Sequence, residues 1–386
     1  MKKNKIHYLC FYAEMNSDYT FFPSAIPKIE YLVEVLKLDF SVQVVSCVKL
    51  SKLGFKKSRR KVVDDKEAHL YFSTFNSRFS FINKLEILLR WFQIIYYVFF
   101  KIKKGEKLLI YHSLFYYKIF NALIWFIKVD TILQVEELYH AVTPGLLHLE
   151  ADENRYVLKF RKLLLVSDLL ESKFKNFNNR TIVCYGDYRS LDFSPFKKHT
   201  SPVIENVNVV YAGVIESSRN AVFFALEVIK LLPNNYFLNI AGFGNNEDVK
   251  KLLSEINIIN QGKERVKYLG YLTGSEYSNL LLKCDIGLSC HQYRDDELIS
   301  ADNSFPSKII VYLKHRLVIV SNKINCVINS EVGQHITFFN STPRDASDAI
   351  LNVEINENLD SVISGLDYKF KKEFVVFLNQ RYNDKC

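Results

Sequence analysis

The sequence predicts an α/β protein built from two doubly wound, Rossmann-like domains facing a cleft. Three observations predict it. First, short, continuous apolar runs rich in β-formers alternate with helix-period segments along almost all of the 386 residues, and buried strands joined by helical crossovers form a parallel sheet covered on both faces. Second, the alternation breaks once, in SPFKKHTSPVIEN at residues 194–206, where two prolines and several polar residues read as a linker. Third, 48% hydrophobic and 24% charged residues belong to a globular chain, and the length suits two domains.

The domain expected over residues 1–194 has strands at 6–11, 42–48, 70–75, 108–111, 131–135, 163–166 and 181–185, with helices between most of them, as at 26–38 and 114–127. After a linker at 195–206, the domain expected over 207–365 has strands at 207–212, 237–241, 266–269, 286–289, 317–320 and 336–339. Its helices are expected at 221–232, 248–258, 276–283 and 307–314. A last helix-period segment, 366–386, carries Phe370, Phe374, Val375 and Leu378 at its apolar positions. Two such domains in series present the carboxyl ends of their strands to one cleft, the edge at which open α/β sheets bind ligands.

Charge is uneven. Residues 1–190 hold 30 Lys/Arg against 19 Asp/Glu, and the remainder 21 against 23. The basic first half suggests an anionic partner: a membrane surface or a phosphorylated acceptor. Nucleic acid is the weakest of these readings, because no recognition motif accompanies the basic residues. The stretch FINKLEILLRWFQIIYYVFFKIKK at 81–104 is aromatic-rich and ends in three lysines. Lys84, Glu86 and Arg90 interrupt it, so it reads as a helix lying in a bilayer interface or packed on a sheet, not as a spanning segment. The nearby run KKSRRK at 56–61 adds attraction for anionic lipid. Seven cysteines without a CxxC pair, and no secretory signal, suggest a reduced, cytoplasmic setting.

The most informative motif is NSFPSKIIVYL at 303–313. Pro306 suits a first helical turn. Ser307 offers a hydroxyl and an N–H, the helix dipole adds partial positive charge, and Lys308 adds a full one. Together they describe a phosphate seat. Two further loops follow expected strands. In AGVIESSRN, Gly213 lets the backbone pass close to a ligand and Arg219 can pair with phosphate. In AGFGNNED, Gly242 and Gly244 make a tight turn before a helix. On the first domain, His112 ends one strand, and Glu136 and Glu137 end the next, with Tyr139 and His140 after them. Asp295, Asp296 and Glu297 form an acidic cluster that reads as a solvated loop, and no histidine or cysteine spacing suits zinc.

Read in order, YAGVIESSRN, LNIAGFGN, VKYLGYLTGSEYSNLLLKCDIGLS and FPSKIIVYLKHRLVIVS, over residues 207–321, resemble the carboxyl-terminal domain of family-4 glycosyltransferases, retaining enzymes of the GT-B fold. The first domain is similar in pattern only. The resemblance implies a nucleotide-sugar donor, a metal-independent transfer without a cofactor, and assembly of a bacterial capsule, O-antigen or exopolysaccharide on a lipid-linked or oligosaccharide acceptor at the inner face of the cell membrane. It implies that Arg219, Ser307 and Lys308 meet the donor pyrophosphate. Gly270 and Tyr271 line the nucleobase, Asn303 falls near the sugar, and His112 near the reacting centre. Glu136 and Tyr139 then face the acceptor, and the last helix returns to the first domain. The family often carries two glutamates eight positions apart, where this chain has Asn303 and Val311, and an arginine where it has Val214. A nucleotide-sugar 2-epimerase and a non-catalytic partner subunit share the same architecture and are the alternatives.

Overall fold

A computed structural model of the chain describes residues 4–15, 17–143, 145–175, 179–191, 206–217, 221–290, 302–353 and 359–380. The chain divides into two compact units, Met1–Asp187 with Lys369–Cys386, and Tyr188–Tyr368.

The first unit runs β1 (Lys5–Cys10), α1 (Ile26–Leu36), β2 (Ser41–Ser46), β3 (Gly54–Lys56), β4 (Arg59–Val62), β5 (Glu67–Tyr71), β6 (Thr74–Asn76), α2 (Ser80–Phe100), β7 (Lys107–Tyr111), α3 (Leu114–Leu123), β8 (Asp130–Val135), α4 (Tyr139–Val142), α5 (Glu150–Leu158), β9 (Lys162–Leu165), α6 (Asp168–Lys175) and β10 (Arg180–Val183). Eight strands form one sheet in the order β10-β9-β8-β7-β1-β2-β5-β4. All pairs are parallel except β4 with β5. The inner strands are buried on both faces, which is why they read as unbroken apolar runs. Strand order reverses between β1 and β7, so the switch point lies between Phe11 and His112. The strand expected at 70–75 is instead β5 and β6. Phe72 N–H still donates to the Ser46 carbonyl of β2, but Ser73 leaves the ladder and bonds the Gln93 amide.

The second unit runs β11 (Val207–Ala212), α7 (Ala221–Leu231), β12 (Tyr236–Ala241), α8 (Asn246–Ile259), β13 (Val266–Tyr268), α9 (Gly274–Leu282), β14 (Ile286–Ser289), α10 (Ser307–Lys314), β15 (Val318–Asn322), α11 (Asn325–Ile328), β16 (Ile336–Phe339) and α12 (Pro343–Leu351). Its six strands are all parallel in the order β13-β12-β11-β14-β15-β16. Numbered from the first strand, that is the 3-2-1-4-5-6 order of the dinucleotide folds, with the switch point between β11 and β14. The stretch expected as the linker lies, except for Asn206, outside the described residues, as do Arg219 and the acidic cluster at 295–297.

The last helix, α13, spans Leu359–Asn379, and from Lys369 it clusters with the first unit. There the ring of Phe370 packs on Tyr31, and Lys162 donates to the Leu378 carbonyl at 3.0 Å. Among the described residues no helix is long and apolar enough to cross a membrane.

Candidate functional site

The second unit places its candidate residues around the β11/β14 switch point. Three loops there are bound to one another through the backbone. Gly213 N–H donates to Ala241, Ile215 N–H to Phe243, and Gly242 N–H to Gly270. A side chain at Gly242 would put its Cβ 1.8 Å from the Gly213 carbonyl oxygen, and one at Gly244 would meet the Ile215 carbonyl at 2.2 Å. These two glycines therefore exist for loop-on-loop packing. Gly270 has φ +74°, a conformation other residues rarely take.

Helix α10 enters this point with Ser307 as its first residue. Pro306 is its cap, in extended backbone, and supplies no side-chain bond to the leading N–H groups. The sequence expectation had Pro306 inside the first turn; its ψ of 100° puts it just outside. The approach is fixed from behind. Asp302 accepts from the Asn325 amide (2.8 Å) and the Cys326 N–H (3.3 Å), and the Cys326 thiol donates to the Ser304 carbonyl at 2.9 Å. The helix lies on the sheet through Tyr312, whose ring fills the space a side chain at Gly287 would need. The Tyr312 hydroxyl accepts from Ala212 N–H at 3.0 Å.

These contacts aim Lys308. Its ammonium lies 4.8 Å from the centroid of the Tyr211 ring and would be 3.4 Å from a Cβ at Gly213. Burial pushes its pKa down. No carboxylate among the described residues pairs with it. Its titrating neighbour is the Cys290 thiol, which burial pushes up to about 12 and which donates to the Ala221 carbonyl. An ammonium held on an aromatic face, short of anionic partners and beside an uncapped helix start, is an arrangement that an anion would complement. Asn303 lies in the anchored loop, half-buried. Tyr271 is 46% exposed and meets Phe243 edge-on at 5.2 Å. Val311 and Val214 occupy the positions expected to be acidic and basic, and Val214 is solvent-exposed.

The first unit handles its candidates differently. His112 is 1% exposed, closed over by the rings of Tyr139 and Tyr156. Its Nε2 bonds Glu153 at 2.6 Å, while its Nδ1 is buried with no partner among the described residues. Glu153, on α5, also accepts the N–H groups of Tyr139 (2.8 Å) and His140 (2.9 Å) and bonds His140 Nδ1 at 2.7 Å. It thereby caps α4, whose own cap residue, Leu138, offers no side-chain bond. Burial raises the Glu153 carboxyl, but the His112 bond and charge and the two N–H bonds outweigh it and hold it at about 2.

Glu136 is paired as well. Lys28 donates to it at 2.8 Å and to the Cys184 carbonyl at 2.5 Å. The Gln134 amide donates to its other oxygen at 2.6 Å, and the Tyr8 hydroxyl donates to Gln134. At the switch point itself, Phe11 packs against Phe22, Phe115 and Tyr116. Glu153, Lys28 and Tyr211 escaped the sequence reading. Glu153 is one of three acids opening α5, and nothing local marks it. Lys28 lies in the first turn of α1, and nothing local marks it either. Among the described residues no cluster of three His, Cys, Asp or Glu side chains could hold a metal ion.

No family model and no curated protein matches the sequence. Solved structures do match the fold. An E. coli trehalose-6-phosphate structure bound with UDP-2-fluoro glucose aligns at TM-score 0.67 and 11% identity, over 98% of this chain and 100% of that one. The UDP-forming α,α-trehalose-phosphate synthase of Burkholderia vietnamiensis aligns at TM-score 0.66 and 9% identity, over 97% and 99%. Anabaena HepE in complex with UDP and glucose aligns at TM-score 0.60 and 13% identity, over 98% and 100%. The chain therefore has the GT-B fold, with two parallel Rossmann-like sheets.

Proposed function

We propose that this protein is a glycosyltransferase that moves a sugar from a nucleotide-sugar donor to a glycan acceptor with retention of configuration. The observation that carries the reading is Lys308, a half-buried ammonium at the switch point of the second unit with no carboxylate partner among the described residues. The neighbours in fold that hold UDP with a sugar favour a UDP-sugar as donor.

In this reading the donor diphosphate docks on the start of α10. As the C1–O bond breaks, negative charge grows on the leaving phosphate. Lys308 and the leading N–H groups of α10 stabilise it, with Arg219 as a second cation, and such preorganised charge is usually the largest catalytic term. The leaving phosphate takes the acceptor's proton, so no side-chain base is needed. Gly270 and Tyr271 line the base, and Asn303 faces the sugar. On the first unit, Tyr139 and the Glu136–Lys28 pair offer hydroxyl, acceptor and donor groups to a glycan, and His112 is held in one orientation by Glu153.

The acceptor is lipid-linked, and the first unit rests on an anionic membrane at the cytoplasmic face during assembly of a surface polysaccharide. The support is the outward face of α2, where Phe81, Leu85, Leu88, Phe92, Tyr96 and Phe99 recur at three- and four-residue spacing and are all solvent-exposed.

The test is a melting-temperature panel with UDP-, GDP-, ADP- and CMP-sugars, since a ligand that binds only the folded state raises the midpoint. A UDP-sugar shift that disappears in Lys308→Ala supports the reading. Shifts from none of the four classes, or an unchanged shift in the variant, would overturn it.

A further inference from the structure

Under the carboxyl-terminal half of α2 the first unit has a groove of about 570 Å³, lined by Lys5, Arg60, Leu70, Tyr96, Tyr97 and Lys101 among others. Strand register explains why these side chains meet. Lys5 and His7 are two apart on β1 and share a face, and Gln43 is in register with His7. Arg60 on β4 is in register with Leu70 on β5. The helix then closes the groove with Tyr96, Tyr97 and Lys101.

The floor is rigid. His7 bonds the Tyr97 hydroxyl at 2.7 Å and Glu106 at 2.9 Å, and the Gln93 amide is bonded to both backbone groups of Ser73. The walls are cationic. Glu106, whose charge acts on Lys5, is bonded to His7 and the Lys103 N–H. None of Lys5, Arg60 and Lys101 forms an ion pair with a described residue. Burial pushes the Lys5 ammonium down; the charge of Glu106 opposes that in part, and the charges of Arg60 and Lys103 add to it. Lys101 instead lies 5.4 Å from the centre of the Tyr96 ring. At the mouth, Tyr96 packs on Phe100, which is 74% exposed. The cationic groove thus runs directly into the apolar stripe of α2.

Three cations without an ion pair among the described residues, in one concave site bordered by exposed aromatics, fit a ligand that is anionic at one end and apolar at the other. We propose that this groove seats the phosphate-bearing headgroup of an anionic lipid, with the acyl chains laid against Phe92 and Phe100. The proposal rests on the membrane reading above and adds a defined site to it. It shares no residue with the His112–Glu153 cluster.

The test uses the full chain and vesicles of phosphatidylcholine with or without phosphatidylglycerol. Arg60→Gln/Lys101→Gln alters two exposed side chains; its melting temperature serves as the check on folding. It should bind the phosphatidylglycerol vesicles roughly thirtyfold more weakly, the scale of two cations at a lipid surface. Arg155→Gln/Lys175→Gln removes the same charge elsewhere on the unit and should stay within about twofold. Equal losses in the two variants, or no loss in the first, would overturn the site.

A second arm titrates dihexanoyl phosphatidylglycerol below its micelle concentration. Saturable binding to the parent that is lost in the groove variant supports the site even if vesicles are ignored, in which case only the membrane reading fails. If inorganic phosphate binds the groove as tightly as the short-chain lipid, the site takes free phosphate and the lipid assignment falls.

Discussion

The strand ends of the two units carry the same kinds of residue in opposite states. At the β11/β14 switch point, Lys308 is aimed by packing and paired with no carboxylate among the described residues. At the strand ends of the first unit the candidate groups are matched to one another: His112 to Glu153, and Glu136 to Lys28 and Gln134. An unmatched buried cation costs stability unless a ligand brings the anion, whereas a matched network is rigid and nearly neutral. The difference is one of charge matching: the second unit leaves a cation without a carboxylate partner among the described residues, and the first pairs its charged groups with one another.

Breaking the comparison at Lys308 gives the largest expected effect. Lys308→Ala should lower kcat/KM on the order of 100-fold or more, measured with the donor identified by the melting panel. Because the ammonium has no protein anion to leave behind, the variant should melt no lower than its parent. A large drop in melting temperature would mean that Lys308 is a structural residue.

At Glu153 the comparison reverses, with stability affected first. Glu153→Gln keeps the shape but removes the charge that accepts from His112, His140 and two N–H groups, and should cost ~3 kcal/mol at pH 7. The sign follows from the depressed carboxyl. Its contribution is present above the ordinary glutamate range and is lost as pH falls toward about 2. Denaturant unfolding between pH 7 and pH 3 should therefore show an acid-side loss in the parent that is smaller in the variant. Parallel curves would remove Glu153 from the account.

Gly242→Ala probes the loop packing that shapes the donor end. With a Cβ 1.8 Å from the Gly213 carbonyl, the loops must separate, at about 1–3 kcal/mol by analogy with overpacked cores. Donor affinity should fall with stability, and unchanged unfolding would contradict the close approach. The smallest effect on folding is expected on α2. Phe92→Ser/Phe100→Ser should alter stability by less than about 0.5 kcal/mol per site, as exposed substitutions usually do, yet should reduce sedimentation with anionic vesicles. Unchanged sedimentation would take the stripe out of the membrane reading.

Helix α2 shows where the sequence misled. Glu86 and Arg90 look like polar interruptions of an apolar helix. In the fold they point inward and pair at 2.9 Å, with Thr74 donating to Glu86 at 2.6 Å and Arg90 donating to the Cys47 carbonyl at 2.8 Å. Of the apolar residues between them, Ile87 and Leu88 are left outside. Hydropathy alone assigns these faces the wrong way round, because the partners of the charges come from β6 and from the end of β2. The short strands β3 and β4 were missed for a related reason: β4 reads RRKV and is exposed throughout, so it carries no alternation to detect.

What the sequence determined by itself is the part encoded in neighbouring residues. Apolar runs and helix periods predict two doubly wound sets, and a Pro-Ser-Lys turn before an apolar helix marks a helix start with a cation in its first turn, because side chains three and four residues apart or two apart share a face wherever the chain goes. What only the tertiary structure decided is partnership across distance. Glu153 reaches His112 from 41 residues away, Arg60 and Lys101 meet Lys5 in one groove, and Lys308 has no acid beside it among the described residues. Which charges end up matched depends on how sheets and helices stack, and no local pattern records that.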